Sequence, residues 1–156
     1  MTGPVTDGGS VVLRAARWLD VVSGEVRTPA AIVVEGNRIA STDPAAAPAG
    51  VREIDLGDVT LLPGLMDMEL NFLMGGAGST HMSAVQDDPA MKLLRAVPAC
   101  RKTLLAGFTT VRNLGIFVQT GGLLLDVSLM RAVDAGWFPG PHLPVGSRHH
   151  TDRWPP

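Results

Sequence analysis

Cysteine is almost absent from this sequence of 156 residues, in which Cys100 is the only one. A single thiol excludes a framework of disulfides within one chain. Long apolar runs are also lacking, because no stretch approaches the ~20 apolar residues of a membrane-spanning helix. The polar, glycine-rich residues 1–10 lack the apolar core of a signal peptide. We therefore expect a cytoplasmic protein.

An excess of charge of either sign is lacking as well. The sequence has 15 acidic and 13 basic residues, for a net charge of -2. This balance gives no electrostatic reason to expect nucleic acid or an anionic membrane as a partner. Hydrophobic residues make up 46%, which is enough for one globular core. The 18 glycines and 12 prolines lie between apolar runs and therefore indicate many tight connections rather than disorder.

Short apolar segments separated by turn residues fill residues 11–60, after residues 1–10, which we expect to be disordered. Strands are predicted at residues 11–13, 18–22, 31–34, 39–40, 51–55 and 60–62. Gly36 and Asn37 predict a hairpin turn, because both residue types accept positive φ. Several short strands at close spacing predict a small β-sandwich domain over residues 11–60, and no chemistry is visible in it.

From residue 61 the pattern changes to alternating strands and helices. An acidic cap followed by proline, Asp88-Pro89, predicts a helix start, and Gly107 predicts the end of that helix. Its apolar face is predicted from four residues at helical spacing, Leu93, Val97, Cys100 and Leu104. A strand at 108–114 and a second helix at 123–135 follow. This alternation predicts an α/β fold with a parallel sheet and right-handed crossovers.

The segment from Leu61 to Asn71 reads Leu-Leu-Pro-Gly-Leu-Met-Asp-Met-Glu-Leu-Asn. Side chains two residues apart on a strand point the same way, so Glu69 and Asn71 share a face. In a barrel that face can be the C-terminal mouth, where active sites lie. Glu69 could bind a divalent ion through a carboxylate oxygen, whereas the amide oxygen of Asn71 suits harder ions better than zinc. The alternative is that both residues only cap a strand.

This segment resembles the amidohydrolase superfamily of metal-dependent hydrolases, whose usual form is Leu-Pro-Gly-Leu-Ile-Asp-X-His-X-His at the end of the first barrel strand. Residues 108–115, Phe-Thr-Thr-Val-Arg-Asn-Leu-Gly, resemble the family's Gly-Val-Thr-Thr-Val-Arg-Asp-Leu-Gly. Residues 32–40 resemble its small β domain. The resemblance is to the branch of imidazolonepropionase and Xaa-Pro dipeptidase. It implies the first two to three strands of a (β/α)8 TIM-type barrel over residues 61–141.

The chain departs from the family pattern where the metal is held. Glu69 and Asn71 stand in place of the two histidines, and Asn113 replaces an acidic residue. The resemblance implies a zinc-like divalent metal, with further ligands (a carboxylated lysine, two histidines and an aspartate) from later strands. Glu69 and Asn71 are therefore the candidate metal positions, and no catalytic residue can be assigned. We expect lost or weakened metal binding, and the alternative is an altered but working site.

The final segment, 142–156, is polar and aperiodic, and we interpret it as an aberrant tail. A disordered terminus is one explanation. A paired-histidine metal site at His149 and His150 is another, although neighbouring side chains on an extended chain point oppositely. One permitted back-translation of residues 147–156, read one base later, spells His-Ala-Ile-Thr-Pro-Thr-Gly-Gly-His. This string resembles the family's segment after the third barrel strand. The sequence therefore predicts a frameshift near residues 141–147.

A (β/α)8 barrel takes ~250 residues, more than this whole chain. The favoured function is a truncated amidohydrolase, inactive alone, whose parent hydrolyses an amide or cyclic amide with metal-activated water. The alternatives are a non-catalytic interaction protein and a subunit of an oligomeric hydrolase. We expect a small amide or dipeptide as the parent's substrate. An open barrel would leave strand edges and side chains such as Leu65 and Val111 uncovered, which predicts self-association.

Overall fold

The computed structural model describes residues 9–43, 45, 49–74, 86–114 and 124–144. The chain divides into two compact units, Met1–Pro63 and Gly64–Pro156. Both strands and helices are present, so the predicted α/β class is confirmed at this level. Among the described residues, none of the helices combines the length and the apolar character needed to cross a membrane.

The described residues of the first unit form seven strands in two sheets. The strands are β1 Ser10–Ala15, β2 Arg17–Asp20, β3 Glu25–Arg27, β4 Ala30–Glu35, β5 Arg38–Ser41, β6 Arg52–Asp55 and β7 Thr60–Leu61. One sheet has the order β5-β4-β1-β6 and the other β3-β2-β7. Both sheets are mixed. Strand β1 pairs antiparallel with β4 and parallel with β6, and β2 pairs antiparallel with β3 and parallel with β7.

The core of the first unit lies where the β-branched runs of β1 and β4 meet. Val12, Ala31 and Val33 are buried together, and Val51 packs against them. The hairpin between β4 and β5 has positive φ only at Gly36, at 58°, so Asn37 does not use the left-handed region that its residue type tolerates. Ser10 already belongs to β1, so the predicted disordered N-terminus extends too far. Residues 1–8 lie outside the described part.

The second unit is built on a strand–helix–strand motif followed by another helix. Its elements are β8 Leu65–Leu70, α1 Pro89–Leu105, β9 Phe108–Asn113 and α2 Leu125–Asp134. β8 and β9 pair in parallel, as the alternating pattern predicted. Helix α1 begins where expected, because Asp88 caps it by accepting a hydrogen bond from the Met91 N–H at 2.8 Å and Pro89 is its first residue. It ends just before Gly107, whose φ is 96°.

The buried face of α1 differs from the predicted one. Cys100 is buried as expected, but Ala96 and Lys92 complete the face, and Val97 is only half-buried. The core of this unit joins residues from both helices and both strand ends: Phe72, Leu73, Ala96, Cys100, Val111, Leu125, Leu129 and Leu143.

The start of the predicted aberrant tail belongs to the fold. The His142 N–H donates to the Thr109 carbonyl at 2.8 Å, and the Val111 N–H donates to the His142 carbonyl at 2.9 Å. This segment therefore runs parallel to β9. Leu143 is 1% exposed and lies in the core. The predicted boundary after residue 141 is therefore too early, because His142 and Leu143 belong to the fold. Residues 145–156, including His149 and His150, lie outside the described residues.

Candidate functional site

The two candidate metal positions lie at the carboxyl end of β8. Glu69 is the second-to-last residue of the strand and is exposed, whereas Asn71 follows the strand and is half-buried. Leu70 is in register with Asn113, the last residue of β9, so both strands end at the same level. In folds built from parallel strands and returning helices, this edge is where ligands bind. The structure therefore puts the candidates at the expected end of the sheet.

The polar side chains of this segment accept hydrogen bonds from nearby backbone N–H groups. A carboxylate oxygen of Asp67 accepts the Glu69 N–H at 2.9 Å. The amide oxygen of Asn71 accepts the Leu73 N–H at 3.0 Å. Both contacts are local, two residues along the chain, and they shape the exit from the strand. This arrangement favours the strand-capping alternative for Asn71.

Residues at the end of the neighbouring strand β9 make hydrogen bonds to the same segment. The Asn113 amide oxygen accepts the Phe72 N–H at 3.1 Å, and the Leu114 N–H donates to the Leu70 carbonyl at 3.0 Å. The Arg112 guanidinium donates through Nε to the Met68 carbonyl at 2.8 Å. The exit of β8 is therefore tied to β9 by three contacts that come from different residues.

Asn113 is a buried polar residue whose contact with the exit of β8 the sequence did not predict. It is 1% exposed, and its amide nitrogen is buried without a hydrogen-bond partner among the residues that the structure describes. The sequence analysis treated it only as a departure from an acidic residue. The available signal was that Asn113 lies two residues after Val111 and so on the same face of the strand. A polar group on a buried face needs a hydrogen-bond partner.

Two further polar side chains are buried in the second unit. Lys92 is 4% exposed near the start of α1, and Asp126 is 5% exposed in the first turn of α2. One carboxylate oxygen of Asp126 accepts the Val127 N–H at 2.9 Å, and the other is buried without a partner in the described part of the chain. Helices that follow parallel strands begin at the layer where those strands end. Lys92 and Asp126 lie near the starts of α1 and α2, the helices that follow β8 and β9.

Cys100 is not a candidate nucleophile. Its side chain is fully buried on the inner face of α1, and burial raises the pKa of the thiol to about 12. At neutral pH a thiol with this pKa is protonated, and the thiolate is the reactive form. We therefore assign Cys100 to the core.

The described residues do not fit a zinc ion by themselves. Zinc sites in proteins use three or four nitrogen, sulfur or carboxylate ligands. Glu69 supplies one carboxylate, and the Asn71 side chain is oriented by the Leu73 N–H. Within the described ranges, no three His, Cys, Asp or Glu side chains come close enough together to hold a metal ion. The side chain of His142 is exposed, and His81 lies outside these ranges.

The chain is similar to parts of several longer hydrolases. No protein-family model matches the chain. Over 73 residues it is 41% identical to an allantoinase of Streptomyces avermitilis, a stretch that makes up 46% of this chain and 15% of that protein. A solved Xaa-Pro dipeptidase with methionine bound in its active site is 29% identical, with a TM-score of 0.72 over 88% of this chain. A solved amidohydrolase is 26% identical, with a TM-score of 0.71 over 87%.

These relatives are much longer than the chain. The matched region is 33% of the Xaa-Pro dipeptidase and 31% of the amidohydrolase. The chain therefore spans about a third of the solved relatives and a smaller share of the allantoinase. The likeness extends over most of this chain, so it includes the β8–α1–β9 motif together with the strands of the first unit.

Proposed function

We propose that this chain, which belongs to the amidohydrolase family, supplies the first part of a hydrolase that cleaves carbon–nitrogen bonds and does not catalyse that reaction alone. The observation that carries the proposal is the exit of β8. Two side chains at the family's metal-facing positions, Glu69 and Asn71, lie at the carboxyl end of a parallel strand, and the described residues around them do not complete a ligand set.

The reaction class rests on the named relatives. An allantoinase and a Xaa-Pro dipeptidase act on compounds that contain amide-type carbon–nitrogen bonds. A small amide, cyclic amide or dipeptide is therefore the substrate class that we propose for the complete enzyme. The relatives are hydrolases of the family that the sequence pattern resembles, and that family uses a divalent metal. We assign no step through a metal to this chain, because its described residues do not fit one.

The domain organisation follows the same proposal. Residues 11–60 would form the small β domain of the family as a β-sandwich, and residues 61–141 the first units of its (β/α)8 barrel. The parallel pairing of β8 with β9 and the short parallel bridge to His142 support a third barrel strand beginning there. In the described residues β8 pairs with β9 alone, as an opening strand would in an open barrel.

Uncovered apolar surface supports the predicted self-association. Leu65, Met66 and Met68 of β8 are 49%, 70% and 44% exposed. An unpaired strand edge with apolar side chains favours association with other chains. The expectation that Val111 would also be uncovered was wrong, because α1 and α2 bury it completely in the core. We therefore attribute self-association to the surface of β8.

A shift of reading frame remains part of the proposal. Because His142 still pairs with β9 and Leu143 is buried in the core, we place the change of frame after residue 143, within the predicted range of 141–147. The test is the DNA sequence from codon 135 onward. The shifted frame should encode further strand–helix units with histidines and an aspartate. An early stop codon in that frame would end the idea.

Catalytic competence is tested on the purified full chain. We expect no hydrolysis of a panel of Xaa-Pro dipeptides and cyclic amides above the level of a Glu69→Ala variant, with or without added Zn²⁺ or Mn²⁺. A Glu35→Ala variant, altered at an exposed residue of the other unit, is the matched control. Native mass spectrometry is run in parallel. Turnover that is lost in Glu69→Ala but kept in Glu35→Ala, from a metal-loaded homo-oligomer, would establish the oligomeric hydrolase instead.

A further inference from the structure

We propose that Asn71 and Asn113 form an amide clamp that orders the exit of β8 without a metal ion. The clamp is defined by two hydrogen bonds, from the Phe72 N–H to Asn113 and from the Leu73 N–H to Asn71. The inference rests on the proposed function in one respect, which is that position 71 is a metal-facing position of the family. The hydrogen bonds themselves do not depend on that assignment.

The first half of the clamp is buried. Asn113 is 1% exposed, and its amide oxygen accepts the Phe72 N–H at 3.1 Å across 41 residues of sequence. A buried N–H that loses its acceptor is strongly disfavoured, because no water replaces the bond. Within the described ranges, the oxygen of Asn113 accepts a hydrogen bond and its amide nitrogen has no partner.

The second half of the clamp is a local turn. The amide oxygen of Asn71 accepts the N–H two residues ahead at 3.0 Å, which is the turn that asparagine side chains typically stabilise. Phe72 and Leu73, whose N–H groups donate these two hydrogen bonds, are 3% and 2% exposed. The turn therefore delivers two consecutive side chains into the core. Consecutive side chains on a regular strand would point to opposite faces.

Together the two amide side chains order the exit of β8, as a bound metal ion would otherwise do. The orientation of the Asn71 side chain is fixed by the backbone ahead of it, and the backbone of the same segment is fixed by Asn113. Neither contact requires a cation. The exit of β8 is thus ordered before any ligand arrives, and we expect its order to be the same in the presence and absence of divalent metal.

Hydrogen exchange read at single residues by mass spectrometry tests the clamp on the full chain. In Asn113→Leu the Phe72 amide should exchange about tenfold faster than in the wild type, and in Asn71→Ala the Leu73 amide should do so, as expected for loss of one buried hydrogen bond. Asn37→Ala, at the exposed turn of the first unit, should change neither rate. EDTA or Zn²⁺ should leave both wild-type rates unchanged.

Two results would overturn the clamp. One is unchanged exchange at Phe72 and Leu73 in the variants. The other is faster exchange of the wild type in EDTA, which would show that an ion orders the exit. Should Asn113→Leu fail to fold, Asn113→Asp keeps an acceptor oxygen and should keep the Phe72 amide protected, whereas loss of protection there would count against the proposal. If the wild type shows metal-dependent turnover while the Phe72 and Leu73 amides stay protected in EDTA, the proposed function is refuted and the clamp is not.

Discussion

Substitution of Gly64 by alanine tests why the turn that begins β8 contains glycine. A Cβ atom at this position would lie 2.7 Å from Thr109 Cβ and would contact the Oγ1 and Cγ2 atoms of the same side chain. Because Thr109 Cβ is bonded directly to the backbone of β9, no rotamer change can move it away. The two strands would have to separate near the hydrogen bond from the Leu65 N–H to the Gly107 carbonyl, at 2.8 Å. We expect a loss of about 3 kcal/mol, the upper end for overpacking.

Urea unfolding followed by circular dichroism at low protein concentration measures this loss. Gly136→Ala is the matched control, because Gly136 has a φ of 71° and open space around it, so alanine there should cost only about 1 kcal/mol. Adding Thr109→Gly to Gly64→Ala should restore more than half of the lost stability. Adding Thr109→Ala should restore less, because its Cβ remains. A Gly64→Ala chain no less stable than Gly136→Ala would refute the reasoning.

Three further outcomes are expected. Asp88→Ala should lower the free energy of unfolding by about 1 kcal/mol in urea, because the cap bond to Met91 is lost, and an unchanged value would count against that cap. Cys100 should resist a thiol reagent at pH 8 until the chain unfolds, because burial raises its pKa to about 12, so rapid labelling of the native chain would contradict its burial. The pKa of Asp20 is lowered, first by the hydrogen bond from the Val22 N–H. Its stabilisation is therefore present above the unfolded pKa of about 3.9 and is lost as the pH falls through the lower folded pKa. Asp20→Asn should be less stable than the wild type at pH 7, and an equal difference at pH 2 would argue against this contact.

Features that depend on local chemistry could be predicted from the sequence. The start of α1 follows from Asp88 and Pro89, and its end follows from Gly107, because caps are set by residues next to the helix. The second helix was predicted at 123–135 and runs from Leu125 to Asp134. The parallel pairing of β8 with β9 followed from a helix of the right length between two strands.

Features that depend on distant partners could not be predicted in the same way. The parallel pairing of β1 with β6 joins segments about 40 residues apart, and nothing in either segment encodes that register. The short strand β3 has three exposed residues and no apolar pattern. At the candidate site, the structure has Glu69 and Asn71 at the end of β8, and their assignment as metal positions stays a prediction. The part played by Asn113 was missed, because it becomes visible only when the fold brings it to Phe72.

The metal content of the purified full chain is the most direct test of the central claim. That claim is that Glu69 and Asn71 occupy metal-facing positions of a hydrolase fold without forming a metal site in this chain. Elemental analysis after exchange into metal-free buffer should give well below one equivalent of any divalent metal, and Glu69→Ala should not change the value. About one tightly held equivalent in the wild type, lost in Glu69→Ala, would contradict the account.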